Sequence, residues 1–303
     1  MELLEKAGVK VVATESYPSK ADALRLVGRE QPEGIVVRLV EKVDEVLMRA
    51  SPKLKVVAKH GAGLDDIDQE AAKRLGIRVL AAVGCNARSV AEHALALMMA
   101  LAKDLKRQDA RVRCGEWDKK VYPGFELQGR RVGLVGFGQI ARMLGDLAKA
   151  VGLSVVAFDP FMPASAFGTT DHVTDLAELL RQSDFVSLHC PLTPQTRGLI
   201  GARELSLMGG KAYLINTARG EVVNEAALLE ALKSRVIAGA GLDTFSTEPP
   251  GTENPLWALG NLIVSPHCGG VTAEARGRVS TVTASNVLAC IRGEVVDERY
   301  IAC

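Results

Sequence analysis

The sequence predicts two α/β domains built on parallel sheets. Short runs rich in β-branched residues alternate with helical stretches, which is the pattern of βαβ units. The chain has 303 residues, enough for two domains of ordinary size. Because the final helical stretch can return to the first series of strands, we expect residues 1–93 and 276–303 to form one domain and residues 94–275 the other, with a cleft between them.

Local patterns predict the elements in chain order. Strand-like runs occupy residues 9–13, 34–38, 54–59 and 78–82, with helical stretches KADALRLVGRE and VDEVLMRA between them. Residues 91–106, rich in Ala, Leu and Met, predict a long helix, and residues 114–129 predict a loop. A second series of strands follows in RVGLVG, SVVAFD, FVSLHC, KAYLIN, AGAGLD and NLIVSP, and Asp175 and Asn224 are placed to cap two helices.

The composition limits the classes of function. Apolar residues make up 48% and charged residues 24%, as in globular proteins with a substantial core. The net charge of +1 gives no electrostatic reason to bind nucleic acid or an anionic membrane, so we expect a small-molecule ligand. Six cysteines without metal-type spacing, and an N-terminus unlike a signal peptide, predict a cytoplasmic protein without a metal.

One glycine-rich segment carries the most informative motif. A predicted strand, Arg131–Val135, runs into Gly136-x-Gly138-x-x-Ala141 and then a helix. Gly136 permits the tight turn, Gly138 lets the backbone approach a pyrophosphate, and Ala141 allows close packing of helix on strand. Asp159, 23 residues after Gly136, is placed to accept from ribose hydroxyls and to repel a 2′-phosphate. The motif favours NAD over NADP, and the alternative is a glycine turn without a ligand.

Polar side chains follow three strands of the second series. In open α/β sheets, ligands bind beyond the carboxyl ends of the strands. Arg219 follows KAYLI, Glu248 lies beyond AGAGL, and His267 follows LIV, so all three are expected at the edge that carries the glycine motif. Arginine offers a forked donor for a carboxylate and a carbonyl, while a histidine oriented by a glutamate can deliver a proton. The set suits hydride reduction of a 2-keto acid.

The chain resembles the D-isomer-specific 2-hydroxyacid dehydrogenase family over nearly its whole length. The residues that carry the resemblance are GFGQIAR (136–142), HCPLTPQTRGLI (189–200), INTARGEVVNEAALLEAL (215–232), GAGLDTFSTEPP (239–250) and SPHCGG (265–270), with weaker matches at 60–68 and 87–102. The resemblance implies a Rossmann-type doubly wound NAD-binding domain and a smaller flavodoxin-like substrate domain. It also implies a dimer formed through the segment that contains Trp117, Tyr122 and Phe125.

The resemblance implies roles for individual residues. Arg219 would bind the substrate's carboxylate and carbonyl, Glu248 would pair with the acid/base His267, and Asp243 would contact the nicotinamide carboxamide. Substrate binding is expected at Lys59, His60, Gly61, Ala62, Gly63 and Arg219. Cofactor binding is expected at Gly136, Gly138, Gln139, Ile140, Asp159, His189, Cys190, Pro191, Thr196, Thr217, Ala218, Arg219, Asp243, His267, Gly269 and Gly270.

Two cysteines have alternative interpretations. Cys268 beside His267 suggests a nucleophile–base pair, but adjacent residues on an extended segment point to opposite sides, so we interpret His267 as a proton donor instead. Cys268 also stands where the family more often has an aliphatic residue. His189 and Cys190 are interpreted as a pocket wall rather than a metal site, because no spaced set of ligands surrounds them.

The first domain leaves two points open. Lys59 and His60 either select a second anionic group on the substrate or form a solvated loop end. The resemblance implies a strand before the first helix, whereas MELLEKAG begins with a helical pattern, so we expect one strand to be absent. With the chain ending at Cys303, the regulatory domains of some family members are also expected to be missing.

The leading hypothesis is an NAD-dependent enzyme that interconverts a 2-keto acid and its D-2-hydroxy acid, of the phosphoglycerate, hydroxypyruvate or glyoxylate type. The alternative is a protein that senses NAD(H) on the same fold, as a corepressor does, without turnover. A third possibility is a protein that binds NAD but cannot close on its substrate.

Overall fold

The computed structural model describes residues 2–15, 18–38 and 42–303. The chain divides into two compact units, Met1–Asn86 with Val271–Cys303, and Ala87–Gly270. The predicted boundaries fall seven and five residues further along the chain than these. The reason is that residues 87–93 already belong to a helix of the second unit, and residues 271–275 begin the last helix of the first. Within the described ranges, no helix has the length and apolar character needed to cross a membrane.

The first unit contains a three-stranded parallel sheet in its described part. The strands are β1 (Gly34–Val37), β2 (Val56–Lys59) and β3 (Arg78–Ala81), in that spatial order. The helices before and between them are α1 (Glu2–Lys6), α2 (Lys20–Glu30), α3 (Glu45–Arg49) and α4 (Gln69–Arg74). Asp44 and Asp68 cap α3 and α4 by accepting backbone N–H groups, which explains where these helices begin.

The strand predicted at residues 9–13 is wrong. These residues form no strand, and Val12 is 42% exposed. The run is rich in β-branched residues, but among the described residues it has no neighbouring strand with which to exchange hydrogen bonds. Without a neighbouring strand, the backbone N–H and C=O groups of these residues form no sheet hydrogen bonds, whatever the composition of the run.

The second unit contains a seven-stranded parallel sheet in the order β10-β9-β8-β7-β4-β5-β6. Its strands are β4 (Arg131–Val135), β5 (Ser154–Phe158), β6 (Asp171–His172), β7 (Phe185–Leu188), β8 (Tyr213–Asn216), β9 (Gly239–Leu242) and β10 (Leu262–Val264). All of these strands were predicted from the sequence except the two-residue edge strand β6. The doubly wound α/β class is confirmed.

Helices surround this sheet, and all of them except the helix over residues 105–113 contribute buried residues to its two core clusters. They are α5 (Ala87–Ala102), α6 (Leu105–Arg113), α7 (Gln139–Ala150), α8 (Leu176–Gln182), α9 (Ala202–Met208) and α10 (Glu225–Lys233). The helix predicted at residues 91–106 begins earlier and stops at Ala102, because Asp104 adopts a left-handed φ of 49° that an α-helix cannot contain. Asp175 and Asn224 cap α8 and α10 as predicted.

The strand order identifies one place on the sheet for a ligand. From β4 the chain builds outward through β5 to β6, and from β7 it builds outward in the other direction to β10. The loops after β4 and β7 therefore diverge at a topological switch point, where open α/β sheets bind ligands.

The C-terminal segment completes the first unit. Helix α11 (Ala273–Arg292) begins at the N-cap Thr272, and its side chains Val287 and Cys290 pack with Val56 and Leu80 of the three-stranded sheet. The core of the first unit thus draws on both ends of the chain.

Candidate active site

The glycine turn after β4 brings two loops into backbone contact. Gly136 has a φ of 87°, and a Cβ at this position would lie 2.9 Å from the carbonyl carbon of His189 and from the backbone nitrogen of Cys190. A side chain would clash there, and the positive φ disfavours any residue but glycine. Gly136 thereby joins the loops after β4 and β7, the two strands that flank the switch point.

The N-terminus of α7 offers an open cradle for an anion. Gly138 is the N-cap residue, and a Cβ added to it would meet no atom within 4 Å. Gln139 and Ile140 form the first turn, whose N–H groups have no partner within the helix. Ala141 is fully buried where the helix packs on the sheet. This arrangement fits a dinucleotide diphosphate, which would fill the space that Gly138 leaves.

Asp159 has a structural role besides the one predicted for it. Its carboxylate accepts the backbone N–H of Phe137 at 2.9 Å and that of Phe161 at 3.0 Å, so it fixes the glycine turn from the neighbouring strand. A carboxylate has about four lone-pair sites, and two remain for ribose hydroxyls.

The loop after β7 forms a partly buried wall beside the glycine turn. Burial lowers the pKa of His189 to about 4, so the ring is neutral near pH 7, and its Nε2 lies 2.9 Å from the Ser187 hydroxyl. Burial also raises the pKa of the Cys190 thiol to about 11. Thr196 donates from its hydroxyl to the carbonyl of Pro191 at 2.6 Å and closes the loop.

Arg219 is held by a tight turn after β8. The side chain of Asn216 accepts the N–H of Ala218 at 3.0 Å and donates to the carbonyl of Arg219 at 2.9 Å. A Cβ on Gly220 would overlap the backbone of Phe245, so this turn packs directly against the loop after β9. The loop positions the guanidinium in the second unit at the edge that also carries Glu248.

Two buried threonine hydroxyls lie at the same edge of the sheet. Thr217 follows β8 and Thr244 follows β9. The Oγ1 atoms of both are buried without a hydrogen-bond partner among the described residues. Since buried polar groups are normally paired, these atoms are consistent with a ligand that supplies the partner.

His267 and Glu248 form the pair that the sequence analysis predicted. His267 Nδ1 lies 2.7 Å from Glu248 Oε2, and Glu248 Oε1 accepts the N–H of Phe245 at 2.9 Å. Burial raises the pKa of Glu248, but the hydrogen bonds from His267 and Phe245 and the charges of His267 and Arg219 outweigh burial, so the net pKa is lowered. Glu248 is therefore ionised near neutral pH and orients the imidazole.

Asp243 organises the turn that carries His267, a role that the sequence analysis missed. Its carboxylate, 2% exposed, accepts the N–H of Cys268 at 2.9 Å, the N–H of Gly269 at 2.8 Å and the hydroxyl of Ser265 at 2.5 Å. Its carbonyl accepts the N–H of His267 at 2.8 Å. These bonds hold His267 at a φ of 51°, a conformation that costs a non-glycine residue about 1 kcal/mol or more.

Helix α5 supports this turn from below. His93 Nε2 lies 2.8 Å from Ser265 Oγ and 3.5 Å from Asp243 Oδ1. Because the Ser265 hydroxyl gives its one proton to Asp243, His93 must donate to Ser265 Oγ. His93 is far from Ser265 and Asp243 in the sequence, and only the fold brings it to the ends of these strands.

Cys268 does not have the properties of a nucleophile. Burial and the negative charge of Asp243 raise the pKa of its thiol, whereas nucleophilic cysteines need a lowered pKa. The interpretation of His267 as a proton donor rather than the base of a thiol pair agrees with this environment.

The predicted substrate residues of the first unit lie at the end of β2. Lys59 ends the strand and forms an ion pair with Asp66, so part of its charge is already neutralised. His60, followed by Gly61, Ala62 and Gly63, lies 2.9 Å from the Ser280 hydroxyl through its Nε2. Burial lowers the pKa of His60, and the positive charges of Arg38 and Lys59 lower it further. Arg38, which follows β1, was missed because only the sheet brings it near His60.

These features define a class: a dinucleotide-binding α/β protein with an arginine and a histidine–carboxylate pair at the cofactor edge. Residues 95–269 match the family model described as D-isomer specific 2-hydroxyacid dehydrogenase, NAD binding domain. The chain belongs to this family, which confirms the resemblance drawn from the sequence.

Named relatives and solved structures agree with this assignment. The chain is 38% identical over 300 residues to D-3-phosphoglycerate dehydrogenase of Methanocaldococcus jannaschii, covering 98% of this chain and 56% of the relative. It is 40% identical over 271 residues to glyoxylate reductase of Thermococcus litoralis, which covers 87% of this chain and 82% of that relative. The crystal structure of the TT0316 protein of Thermus thermophilus superimposes with a TM-score of 0.92 at 34% identity, and the match covers 100% of this chain and 96% of that protein. The chain thus spans about half the length of the phosphoglycerate dehydrogenase that it matches.

Gly138→Ala is expected to weaken NADH binding while leaving the fold intact. The new methyl group occupies the open cradle without touching the protein, so NADH affinity should fall at least about tenfold, equivalent to roughly 1.4 kcal/mol. The free energy of unfolding should fall by no more than about 1 kcal/mol, the scale of an N-cap effect. Fluorescence titration with NADH measures the first quantity and urea denaturation the second. Gly260→Ala, also in open space, is the matched control, and equal NADH affinity in both variants would contradict the assignment of the cradle.

Glu248→Gln is expected to lower the melting temperature near pH 7 and to have less effect in acid. A carboxylate whose pKa is lowered by folding stabilises the folded state above its unfolded pKa, about 4.3, and loses this contribution as the pH falls through the lower folded value. Thermal unfolding of both proteins between about pH 7 and pH 3 measures the difference in melting temperature, which should narrow below about pH 4.3. The exposed Glu294→Gln serves as the control, and a constant difference for Glu248→Gln at every pH would count against the pair.

Proposed function

We propose that the protein is an NAD-dependent dehydrogenase that interconverts a small 2-keto acid and its D-2-hydroxy acid. The observation that carries the proposal is the His267–Glu248 pair, 2.7 Å apart, on the sheet edge that also holds the glycine cradle and Arg219. The similarity to D-3-phosphoglycerate dehydrogenase and glyoxylate reductase supports the same reaction class.

The residues act in a defined order during reduction of the keto acid. Arg219 binds the carboxylate and the carbonyl oxygen through its forked donors and polarises the carbonyl. NADH, if held at the glycine cradle, would supply the hydride for the carbonyl carbon. His267, held through Nδ1 by ionised Glu248, delivers a proton from Nε2 to the carbonyl oxygen, which completes the hydroxyl group. In the oxidative direction the same imidazole accepts the hydroxyl proton.

Asp243 and the buried threonines serve the cofactor side of this edge. We propose that Asp243 contacts the nicotinamide carboxamide through a lone pair that its backbone partners leave free, and that Gly269 and Gly270 leave room for the ring. Thr217 and Thr244 offer hydroxyls that the protein itself leaves unpaired within its described part. His189 through Pro191 and Thr196 form the wall on the adenosine side.

The first unit supports a substrate with a second anionic group. Backbone N–H groups of residues 61–63 are proposed to hold the carboxylate of the substrate. Arg38 gives the ends of β1 and β2 a net positive character, because Asp66 offsets the charge of Lys59 and the lowered pKa of His60 favours its neutral form near pH 7. A phosphorylated three-carbon keto acid fits this charge better than glyoxylate does.

We also propose that the protein is a cytoplasmic homodimer. The segment after α6 exposes Trp117 by 78% and Tyr122 by 45%, and these side chains line a surface hollow with Val112. Exposed apolar side chains in one patch favour association of two chains. Light scattering on wild type and on Trp117→Glu measures the molar mass in solution and so the oligomeric state of each. The six cysteines, all in the described part of the chain, are free thiols, as a reducing compartment permits.

His267→Gln is expected to lower kcat/KM for keto-acid reduction by about two to four orders of magnitude, because it removes the proton donor. NADH affinity should stay within about threefold, since Gln preserves the size of the side chain. The measurement is NADH oxidation across a panel of 2-keto acids, with the exposed His172→Gln as a control. NADH binding without turnover of any acid in wild type would reject the enzyme and favour an NAD(H) sensor.

Arg38→Gln is expected to raise KM about tenfold for phosphohydroxypyruvate and to leave KM for glyoxylate unchanged. The reason is that only the phosphorylated acid has a distal anion to pair with the guanidinium. Steady-state kinetics with both acids separates the two effects, and Arg25→Gln on α2 provides an exposed arginine as control. A parallel rise in KM for both substrates would show that Arg38 does not read the distal group.

A further inference from the structure

Three metal-ligating side chains meet beneath the turn that carries His267. His93 Nε2, a carboxylate oxygen of Asp243 and Cys268 Sγ lie within 4.8 Å of one another. Among the described residues, these three form the one cluster of His, Cys and acidic side chains close enough to bind a common metal ion. They come from α5, from the loop after β9 and from the loop after β10, so all belong to the second unit. The reaction proposed above uses neither the His93 ring nor the Cys268 thiol.

The geometry is close to that of a tetrahedral site. Zinc binds nitrogen, oxygen and sulfur ligands at about 2.0 to 2.3 Å, which places neighbouring ligand atoms roughly 3.3 to 3.8 Å apart. His93 Nε2 and Asp243 Oδ1 are already 3.5 Å apart. Cys268 Sγ lies within 4.8 Å of both of these ligand groups, and this cysteine is exposed, so an ion can reach it.

Two of the three ligands are already fixed in place. Asp243 is pinned by the N–H groups of Cys268 and Gly269. His93 is held against Ser265 Oγ at 2.8 Å, and its ring lies under Gly269, where an added Cβ would be 3.2 Å from His93 Cδ2. Such a site loses little side-chain entropy when it takes up an ion.

We propose that His93, Asp243 and Cys268 form an inhibitory site for a thiophilic divalent cation of the zinc class. One thiolate, one imidazole and one carboxylate are ligands that zinc accepts together, with Ser265 Oγ or water available as the fourth. The regulatory part of this inference rests on the proposed dehydrogenase function.

Metal binding and the hydrogen-bonded network exclude each other. To bind the ion, Cys268 releases its thiol proton to solvent, and the proton on His93 Nε2 moves to Nδ1 so that Nε2 presents a lone pair. The hydrogen bonds that link His93, Ser265 and Asp243 are then lost. Because Asp243 also fixes the backbone around His267, the bound ion changes the geometry of the proton donor.

The first test is direct and independent of turnover. Wild type titrated with Co²⁺ should bind one equivalent with a thiolate-to-cobalt charge-transfer band in the near ultraviolet. Cys268→Val should lose that band, whereas Cys114→Val, which removes another exposed cysteine, should keep it. Absence of the band in wild type, or its persistence in Cys268→Val, would overturn the site.

The second test measures inhibition. Zn²⁺ should inhibit NADH-dependent reduction by wild type and Cys114→Val alike, and Cys268→Val should need at least about tenfold more Zn²⁺ for the same inhibition. Equal inhibition of Cys268→Val would place the inhibitory ion elsewhere, for example on His267 and Glu248, and overturn the proposal. A cobalt band in a wild type that turns over no acid would refute the proposed enzyme and leave the metal site standing.

Discussion

The carboxylate of Asp243 is the group on which the arrangement of the active edge depends. It is buried, yet three donors from the turn after β10 converge on it: the hydroxyl of Ser265 and the N–H groups of Cys268 and Gly269. A buried carboxylate is costly unless its lone pairs are filled, so the turn can adopt few other conformations without leaving that charge unsatisfied. The left-handed backbone at His267 follows from this constraint, and so does the direction of its imidazole toward Glu248.

Glycines give the same edge its rigidity. Gly136 brings the loop after β4 against the loop after β7, and Gly220 brings the turn after β8 against the loop after β9. Gly269 brings the turn after β10 against the loop after β9, since a Cβ at this position would lie 2.9 Å from Asp243 Oδ2. Each contact is between backbones or between backbone and a fixed carboxylate, with no flexible side chain to absorb movement. The loop after β4 is thus joined to the loop after β7, and the loops after β8, β9 and β10 are joined to one another, while a backbone hydrogen bond from Gly198 to Glu221 at 2.8 Å links the two sets. Such contacts keep the cofactor and acid/base groups at a fixed spacing.

Local signals were sufficient for most of the fold and for part of the site. The strands of the second unit were predictable because buried parallel strands are near-continuous apolar runs, and the glycine motif fixed the cofactor edge. Residues 9–13 were mispredicted because a strand exists only with a partner, which no short window reveals. The end of α5 was also mispredicted, because it depends on the left-handed backbone conformation of Asp104 and not on the type of its side chain. His93 and Cys268 are 175 residues apart in the chain, so no spacing rule could join them. Arg38 was missed for the same reason, since its effect on His60 arises across neighbouring strands.

The first unit is discontinuous in the sequence, so its two parts are synthesised at different times. Residues up to Asn86 leave the ribosome before the second unit, but one face of their sheet is covered by α11 and by the segment whose Ala302 N–H donates to Val79 O at 2.8 Å. Val56, Ala58 and Leu80 must therefore wait, without their final neighbours, while the 184 residues of Ala87–Gly270 are synthesised and can fold as a continuous stretch. The unit whose first part is translated before Ala87–Gly270 is therefore the last to complete its native core, and its apolar strands are the surface that a nascent-chain chaperone would have to shield.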